Sequence, residues 1–365
     1  MVGLTVPSQP YHLRIIRVGP EREVILPRTF RLPIVPIHSY WRAMISLPRS
    51  IAFLGLSGFI ALQTYAMEAP TVVETDDTIV IRFGDNPAVT YQKALVPPPA
   101  GVDPIYTRSG FIHPVRSPSG EAVTGIHPDD HYHHLGLWHA WVKTKVDGQD
   151  VDFWNLKEET GAVRFARTLS LLRGSDVAGF TVEQEHVLYP GDPNKESVML
   201  KEQFTVEARY VDGAYEIDYI TVQENISQWS LKMPAYRYGG TIAYRAPHHW
   251  DKTNSDYLSS EWKTRIDGHT TRSRWIAMWG QRDSGEGYDT FTILCHDENH
   301  DAPQRMRVWP PSSNNGAIFF NYVPAQEFDF EIKPGQVSTM QYRLVVEEER
   351  PNPYTIDQRW RRYTE

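Results

Sequence analysis

The chain has 365 residues and is acidic, with 37 Lys and Arg against 45 Asp and Glu and a formal net charge of −8. This length suffices for one large domain or two ordinary ones. No run of Lys or Arg offers the basic surface that phosphate contacts require, so the composition argues against a nucleic-acid-binding protein. The single cysteine, Cys295, excludes an intrachain disulfide and a cysteine-based zinc site.

Residues 44–66 have the three parts of a secretory signal peptide. Arg49 supplies the positive charge, residues 51–62 form an apolar run, and Thr64 and Ala66 place small side chains at a cleavage site. The alternative is a membrane anchor, but an apolar run of 12 residues is too short to cross a bilayer as a helix. We therefore predict an exported protein, periplasmic or secreted, without a transmembrane span in its mature chain.

Residues 1–43 precede a plausible start at Met44. They are basic and lack sustained periodicity, which indicates an upstream extension from a start codon assigned too early; a genuine N-terminal extension is the alternative. Residues 1–66 hold seven of the 37 Lys and Arg but two of the 45 Asp and Glu, so the mature chain is more acidic still. A large exported domain with one cysteine suits a bacterial periplasm, since small extracellular domains are usually rich in disulfides.

Apolar and polar residues alternate along residues 67–365, as expected of strands with one buried face. The alternating segments are 78–83, 180–188, 204–208, 215–222, 290–294, 317–323, 328–332 and 340–346. Turn-forming residues separate them, for example residues 190–193, and no segment shows helical periodicity over three or more turns. The pattern predicts an all-β fold, a single large β-sandwich domain over residues 67–365.

Two stretches, residues 97–161 and 228–287, interrupt this alternation. Both are polar, rich in aromatic residues and rich in turn formers. Loops of this length in a compact domain are usually functional or disordered, and their density of Trp, His and Tyr argues against disorder. We expect the binding site to be built from them.

Histidines are concentrated in the first of these stretches, where six of the protein's 14 fall between positions 113 and 139. Such crowding is unfavourable in a purely structural loop, because neighbouring imidazoles repel when protonated and each buried ring needs a partner. If the segment is extended, His131 and His133 point to one face and His134 to the other. Asp129 or Asp130 is then within reach to orient the rings.

Three interpretations of these histidines remain open. In the first, His131 and His133 bind a divalent metal such as Zn, Cu, Mn or Fe together with a distant third ligand. In the second, a histidine and an aspartate act as general acid and base on a sugar or similar polar substrate, and Trp138, Trp141 and Trp154 provide stacking surfaces. In the third, the imidazoles satisfy one another and backbone carbonyls within a rigid loop.

A second polar group follows an apolar segment that ends at Cys295. Its side chains include His296, Asn299 and His300, which could face the first group across a cleft and supply the missing ligand or catalytic partner. The alternative is a capped turn after a strand, in which these side chains serve only the local backbone. The distance between the two groups decides between these interpretations.

The order of the motifs resembles a bacterial family known as methane oxygenase PmoA-like, over residues 105–346. The matching residues are His113-Pro114, Pro118 to Gly120, Asp130 to His134, Gly136 to Trp138, Asp152 to Trp154, Tyr238 to Gly240, Arg274-Trp275, His296, Asn299, Pro303, Pro334-Gly335 and Tyr342-Arg343. The resemblance implies an exported, β-rich protein with a galactose-mutarotase-like double sheet, a fold that many sugar lyases, hydrolases and epimerases share. The family's name implies a metal-dependent oxidase or oxygenase with histidine ligands.

The preferred hypothesis is an exported carbohydrate-active enzyme that acts on a glycoside or sugar derivative as a hydrolase, lyase or epimerase. The predicted catalytic residues are Asp130, His131, His133, His134 and His296. The predicted substrate-binding residues are His113, Arg116, Trp138, Trp154 and Asn299. The alternatives are the metal-dependent oxidase or oxygenase, with His131 and His133 as metal ligands, and a non-catalytic glycan-binding protein.

Overall fold

The computed structural model describes residues 15–17, 23–25, 69–139 and 141–365. The chain divides into two compact units, residues 1–63 and 64–365. In the first unit, β1 (Ile15–Arg17) and β2 (Glu23–Ile25) pair in antiparallel fashion. The predicted signal peptide and its cleavage site lie outside the described residues, as does most of the predicted upstream extension.

The described part of the second unit is built almost wholly from strands. In chain order these are β3 (Thr71–Glu74), β4 (Thr78–Phe83), β5 (Asn86–Gln92), β6 (Phe111–Val115), β7 (Leu137–Trp138), β8 (Thr144–Val146), β9 (Gln149–Val151), β10 (Gly161–Arg173), β11 (Ala178–Leu188), β12 (Ser197–Val211), β13 (Ala214–Asn225), β14 (Leu231–Met233), β15 (Ala243–Arg245), β16 (Ser255–Ser259), β17 (Trp275–Gln281), β18 (Tyr288–Cys295), β19 (Arg305–Val308), β20 (Phe319–Val323), β21 (Phe330–Ile332) and β22 (Val337–Glu348). Short 3-10 turns occur at Pro104–Tyr106, Leu156–Glu158 and Asn314–Gly316, and helix α1 (Pro353–Thr364) follows the last strand. Among the described residues, no helix is long and apolar enough to cross a membrane.

Two eight-stranded sheets form the sandwich. Sheet A has the strand order β10-β11-β12-β13-β22-β18-β17-β16, and sheet B has the order β19-β20-β15-β7-β6-β5-β4-β3. A four-stranded sheet C has the order β21-β14-β8-β9. Every ladder in the three sheets is antiparallel. The predicted all-β, double-sheet fold is therefore confirmed.

Alternation in the sequence decides which strand residues enter the core. In β4 every second side chain, namely Ile79, Ile81 and Phe83, is buried, and the residues between them are partly exposed. The stretches 97–161 and 228–287 are more regular than predicted, since they contain the short strands β6 to β9 and β14 to β17. These strands are short because turns interrupt them after a few residues.

Sheets A and B pack face to face over an aromatic core. Tyr244 of β15 stacks on Phe291 of β18 with ring centroids 4.4 Å apart, and Tyr91 of β5 lies 5.3 Å from Phe180 of β11. All four side chains are buried. Because burial of a large apolar side chain contributes roughly 1.5–3 kcal/mol, this interface is a main source of stability.

Strand β10 forms one edge of sheet A and is irregular. Its pairing with β11 shifts register between Phe165 and Arg167 and again between Thr168 and Ser170. Such bulges insert an extra residue and increase the local twist of the strand. The pairing therefore continues along β10 only with two interruptions.

Helix α1 is an element that the periodicity did not predict. Pro353 occupies its first turn, and Oδ1 of Asn352 accepts hydrogen bonds from the backbone N–H groups of Tyr354 and Thr355. A narrow apolar stripe faces the protein, with Ile356 buried against sheet A. Periodicity does not reveal this helix, because the cap and the packing stabilise 12 helical residues without a broad apolar face.

Candidate functional site

The histidine-rich loop connects β6 and β7 of sheet B and is shaped by two successive turns. The N–H of His131 donates to the carbonyl of Pro128, and that of His134 donates to the carbonyl of His131, both at 2.9 Å. The N–H of His127 donates to the carbonyl of His134, which closes the loop. The expectation of an extended segment with His131 and His133 on one face is wrong, because the backbone folds back on itself.

These turns bring three imidazole rings into mutual contact, and we name His131, His133 and His134 the cavity cluster. The ring centroid of His134 lies 4.7 Å from those of both His131 and His133, which are 5.5 Å from each other. His134 is buried, with Phe319 and Trp138 each 5.0 Å away. His131 and His133 are partly exposed. One ring is thus anchored in the core and two reach the surface.

The two partly exposed rings line a cavity of about 210 Å³. The remaining lining residues are His134, Val142, Trp154, Asn155, Tyr236, Tyr238 and Trp309. The ring of Trp309 lies 4.9 Å from that of His131, and the ring of Trp154 lies 6.2 Å from that of His133. Aromatic walls with a few convergent polar groups are typical of small-molecule sites.

Asp130 lies behind His131 and is held by Arg245. Nη2 of Arg245, on β15, is 3.0 Å from Oδ1 of Asp130, and Nδ1 of His131 is 3.3 Å from Oδ2. Burial opposes ionisation of Asp130, but the contact with His131 and the charge of Arg245 outweigh it and lower the pKa of the carboxyl. Asp130 is therefore an ionised carboxylate at ion-pair distance from the imidazole of His131, although Nδ1 of that ring makes no well-aligned hydrogen bond among the described residues.

Two imidazoles of the cavity cluster, those of His133 and His134, are neutral at pH 7. Burial lowers the pKa of His133 to about 3, and His131, Arg108 and Arg245 act in the same direction. Burial likewise holds the pKa of His134 well below its ordinary value. Nδ1 of His134 is buried without a hydrogen-bond partner among the described residues. A neutral ring can both donate and accept a hydrogen bond, so the cluster retains capacity for a ligand.

A second hollow of about 440 Å³ continues from the cavity. Val142, Asn155 and Tyr236 line both, so the two hollows form one groove. The loop at this junction is fixed by Asp152, whose Oδ1 accepts hydrogen bonds from the N–H groups of Trp154 and Asn155, each at 2.8 Å. The combined hollow falls in the size range of ligand sites, roughly 300–1,000 Å³.

The second polar group does not reach this groove. The ring of His296 lies 5.0 Å from Tyr363 of α1, and the buried amide of Asn299 donates to the carbonyl of Gln341 at 2.7 Å. The ring of His300 stacks on an aromatic ring of β21 at 4.4 Å. This placement matches the alternative, a capped turn after β18, and corrects the expectation that the two groups face each other.

His113 and Arg116 also lie away from the cavity walls. Nδ1 of His113 is 2.9 Å from Oγ1 of Thr124, and Nη1 of Arg116 donates to the carbonyl of Gly120 at 2.9 Å. Burial lowers the pKa of His113 to about 4, and the charge of Arg116 adds to the effect. From the predicted set, the residues that line the cavity are His131, His133, His134 and Trp154. Asp130 and the buried Trp138 do not line it and contact His131 and His134, respectively.

Among the site residues that sequence reasoning missed are Arg245, Tyr238 and Trp309. They arrive from β15, the loop before it and the segment after β19, so no local motif joins them to the histidines. A partial signal existed for Tyr238 and Arg245, which fall in the polar stretch 228–287. For Trp309 the sequence carries none.

A metal site at His131 and His133 lacks a third ligand in the described part of the chain. There, one group of three ligand-type side chains is close enough to share an ion: His139, His186 and Glu202, in the core between the sheets. Oε2 of Glu202 lies 2.8 Å from Nε2 of His186 and 3.3 Å from Nδ1 of His139.

The hydrogen bonds of Gln223 indicate which ring nitrogen of His139 carries a proton. Its Oε1 accepts a hydrogen bond from Nε1 of Trp141 at 3.0 Å, so its Nε2 donates to Nε2 of His139 at 2.8 Å. An imidazole that accepts at Nε2 carries its proton on Nδ1, the nitrogen that faces Glu202. The nitrogen that a metal ion would need is thus engaged as a donor. We name Trp141, Gln223, His139, Glu202 and His186 the interior network.

The sequence carries an unused signal for the interior network. Gln184, His186, Glu202 and Gln223 occupy the inward phase of β11, β12 and β13 and are buried. Glu202 pairs directly with Gln184 on one side and with Gln223 on the other. Burying polar groups is unfavourable unless they are paired, so polar residues in the buried phase of three neighbouring strands indicate a hydrogen-bonded group in the core.

Comparison with known proteins shows a distant likeness of fold. No protein of curated function shows detectable sequence similarity to the chain. A galactose mutarotase-like protein from Clostridium acetobutylicum matches with 10% identity and a TM-score of 0.37, over 77% of this chain and 94% of that one. A galactose mutarotase related enzyme from Lactobacillus acidophilus matches with 7% identity and a TM-score of 0.34, over 77% of this chain and 100% of that one.

A GH36 α-galactosidase from Geobacillus stearothermophilus matches with 10% identity and a TM-score of 0.36 over 77% of this chain. The chain spans 41% of the length of that enzyme. Such values describe a remote resemblance of sheets and say nothing about activity.

The family assignment made from the order of the motifs is wrong. The family model that matches residues 78–361 is "Family of unknown function (DUF6807)", in place of a methane oxygenase PmoA-like family. Most pieces of that motif order are short and individually weak, so their sequence along the chain did not identify the family. The oxidase or oxygenase interpretation therefore loses the support that the family name gave it. The chain belongs to the family DUF6807.

Proposed function

We propose that the protein is an exported carbohydrate-active enzyme whose substrate binds in the groove beside the cavity cluster. The observation that carries this proposal is the pairing of His131 with an ionised Asp130 at the wall of an aromatic cavity. Aromatic faces pack against the apolar faces of sugar rings, and neutral imidazoles exchange hydrogen bonds with hydroxyl groups. A groove with both features suits a glycoside or sugar derivative.

His131 is the side chain best placed for proton transfer. Asp130 faces its Nδ1, so Nε2 is left to give or take a proton from a ligand in the cavity. Arg245 keeps Asp130 ionised and in position. A base oriented by a third group is the arrangement that general acid–base chemistry requires, and hydrolysis, elimination and epimerisation all use it.

His133 and His134 serve binding in this proposal. Their pKa values lie far below neutrality, so they stay uncharged and are weak bases. Uncharged imidazoles beside the ring of Trp154 can hydrogen-bond sugar hydroxyls without taking their protons. This division leaves one catalytic imidazole and two binding imidazoles.

Export is part of the proposal and rests on the three-part pattern of residues 44–66. Expression of the full chain in a bacterium, followed by mass spectrometry of the N-terminus, tests it. We expect a mature chain that begins at Met67. Recovery of the uncleaved chain from the cytoplasm would contradict export.

Product formation from a panel of oligosaccharides tests the enzymatic role. With an active substrate, Asp130→Asn should lower kcat by about 100-fold or more, since a positioned acid or base typically contributes 10²–10⁴-fold. Asp129→Asn is the matched control, because among the described residues this neighbouring carboxylate forms no ion pair, whereas Asp130 contacts both His131 and Arg245. Activity that survives Asp130→Asn would refute the catalytic role of the pair.

A non-catalytic glycan-binding protein is the second candidate. The aromatic walls favour it, since Trp154, Tyr238 and Trp309 can hold a sugar without any proton transfer. In that case an oligosaccharide raises the melting temperature of the wild type and of Asp130→Asn equally, and no product forms with either protein.

A further inference from the structure

Positive charge lies near the aromatic walls of the groove, although the whole protein carries a formal charge of −8. The guanidinium carbons of Arg307 and Arg237 lie 4.8 and 5.4 Å from the ring centroid of Tyr238, a wall of the cavity. Nζ of Lys143 lies 5.3 Å from the ring of Tyr236, the adjoining wall. Cations within about 6 Å of an aromatic centroid are held there by the ring.

These three cations have no carboxylate at ion-pair distance among the described residues. Elsewhere in the protein arginines are commonly paired, as Arg272 is with Asp301 at 3.0 Å. Nη1 and Nη2 of Arg307 donate to the carbonyl of Val308 and the hydroxyl of Tyr238, both at 3.0 Å. Its Nε is buried without a partner in the described chain. An unpaired buried donor on a cation is unfavourable and would gain from an acceptor.

Nearby imidazoles respond to the same charges. Besides burial, the charges of Arg307 and Arg237 lower the pKa of His269. The pKa of His133 is lowered by burial and by His131, Arg108 and Arg245, and Asp130 alone raises it. Arg245 already pairs with Asp130, so this carboxylate is not free to balance the arginines beside Tyr238.

Carboxylates occur at the opposite end of the groove. The outer hollow is lined by Asp150, Asp152 and Glu158, and also by Lys143, so the cations near the cavity itself are the arginines. Asp150 pairs with Lys145 at 2.7 Å, and Asp152 is occupied by the backbone N–H groups that follow it. The groove is therefore polar along its length, with its positive end at the cavity cluster.

We infer that the groove takes an acidic glycan, with a carboxylate or sulfate group beside Arg307 and Arg237. The inference rests on the proposed function and names its substrate class. Guanidinium groups present several N–H donors in a plane, a geometry that suits the oxygens of carboxylates and sulfates. An anion at this place would balance the charge of the two guanidinium groups, which have no carboxylate partner in the described part of the chain.

Calorimetric titration of the full chain with matched pairs of oligosaccharides tests the inference. One pair is an oligogalacturonate and its methyl ester, and the other is a sulfated galactan fragment and its desulfated form. We expect the charged member of a pair to bind at least about tenfold more tightly at low salt, and the difference to shrink at about 0.5 M salt, where charges are screened. The pair that responds tells whether carboxylate or sulfate is recognised.

Substitutions of single arginines show which residues cause the difference in affinity between the charged and neutral oligosaccharides. Arg307→Gln should remove most of the difference within the responsive pair, and Arg237→Gln, at an exposed position, should reduce it even if the first variant fails to fold. Arg173→Gln, an exposed arginine on β10, is the control and should leave the difference unchanged. Equal affinity for both members of each pair overturns the inference and leaves the proposed function standing. Failure of every oligosaccharide, charged or neutral, to bind overturns both.

Discussion

The cavity cluster and the interior network place histidines in opposite surroundings, although His134 and His139 are close in the sequence. In the cavity cluster the rings contact one another, and two of them lack a carboxylate partner. In the interior network two imidazoles donate to a single carboxylate, Glu202, and Gln223 accounts for a further ring nitrogen. The network directs hydrogen bonds to Glu202 and Gln223 in the core, although Nδ1 of His186 and Oε1 of Glu202 have no partner among the described residues. The cluster differs because two of its rings line a cavity that a ligand can enter.

Electrostatics separates the two groups further. Burial opposes the charge of Glu202, but its contacts with His139 and His186, including hydrogen bonds to its carboxylate oxygens, outweigh it and hold the pKa of that carboxyl well below its ordinary value. Burial lowers the pKa of Arg108 to about 10, so this arginine stays charged at pH 7 and balances Glu202. The interior network is therefore a stability element, and we expect the cavity cluster to serve ligand binding.

Among these predictions, we expect the largest effect from Glu202→Gln, which should lower the free energy of unfolding. The substituted amide cannot accept from both imidazoles as a carboxylate does, which leaves buried N–H groups of His139 or His186 unsatisfied and Arg108 without its balancing charge. We expect a loss of about 3 kcal/mol in the free energy of unfolding, measured by denaturant titration. Glu224→Gln on β13, an exposed position, is the control and should change stability by less than about 0.5 kcal/mol. Equal stability of both variants would contradict the role of the network.

Acid should destabilise the protein partly through the cavity cluster. The pKa of His133 is about 3 in the folded chain against an ordinary value of 6.5, so between these values the unfolded state binds the extra proton. Stability therefore falls as the pH falls, by up to about 1.4 kcal/mol per pH unit for this group. His133→Asn should make the dependence of unfolding free energy on pH shallower between pH 6 and 4. An unchanged slope would show that His133 is accessible to protons in the folded state.

Removal of one aromatic wall should weaken binding moderately. Trp154→Leu keeps an apolar side chain but loses the flat ring beside His133, and we expect about a tenfold rise in Kd for an oligosaccharide that binds the wild type. Trp262→Leu is the control, since this ring is 72% exposed and lines no part of the groove. Similar losses in both variants would mean that binding is not specific to the groove.

The smallest effect is expected from a metal chelator. Because the imidazole nitrogens that face Glu202 carry its hydrogen-bonding protons, addition of EDTA during refolding should leave the melting temperature unchanged. A lower melting temperature, restored by Zn²⁺ or Mn²⁺, would show that an ion occupies the interior network and that the protons are placed differently.

Much of the fold could be predicted because strand burial follows a period of two. Ile79, Ile81 and Phe83 show this directly. Helix α1 could not be predicted in the same way, since its stability comes from the cap at Asn352 and from contact with sheet A. A single stripe of apolar residues is a weak signal in a short polar segment.

The candidate site could be predicted only where its residues are neighbours in the chain. A tight loop brings His131 to His134 together whatever the rest of the fold does. Trp309 and Arg245 reach the site through the pairing of β19, β20, β15 and β7, which the sequence does not specify locally. The prediction that His296 faces the histidine-rich loop was wrong for the same reason. His296 follows β18, a strand of sheet A, whereas the loop belongs to sheet B.

The two register shifts in β10 affect whether copies of the protein can associate through this edge of sheet A. An edge strand of this length presents unpaired backbone groups on which a neighbouring copy can add a strand. Bulges displace those groups from a straight row, and the ion pairs of Arg164 with Glu185 and of Arg167 with Glu183 place charges along the same edge. The irregular edge thus guards a long exposed strand against intermolecular aggregation.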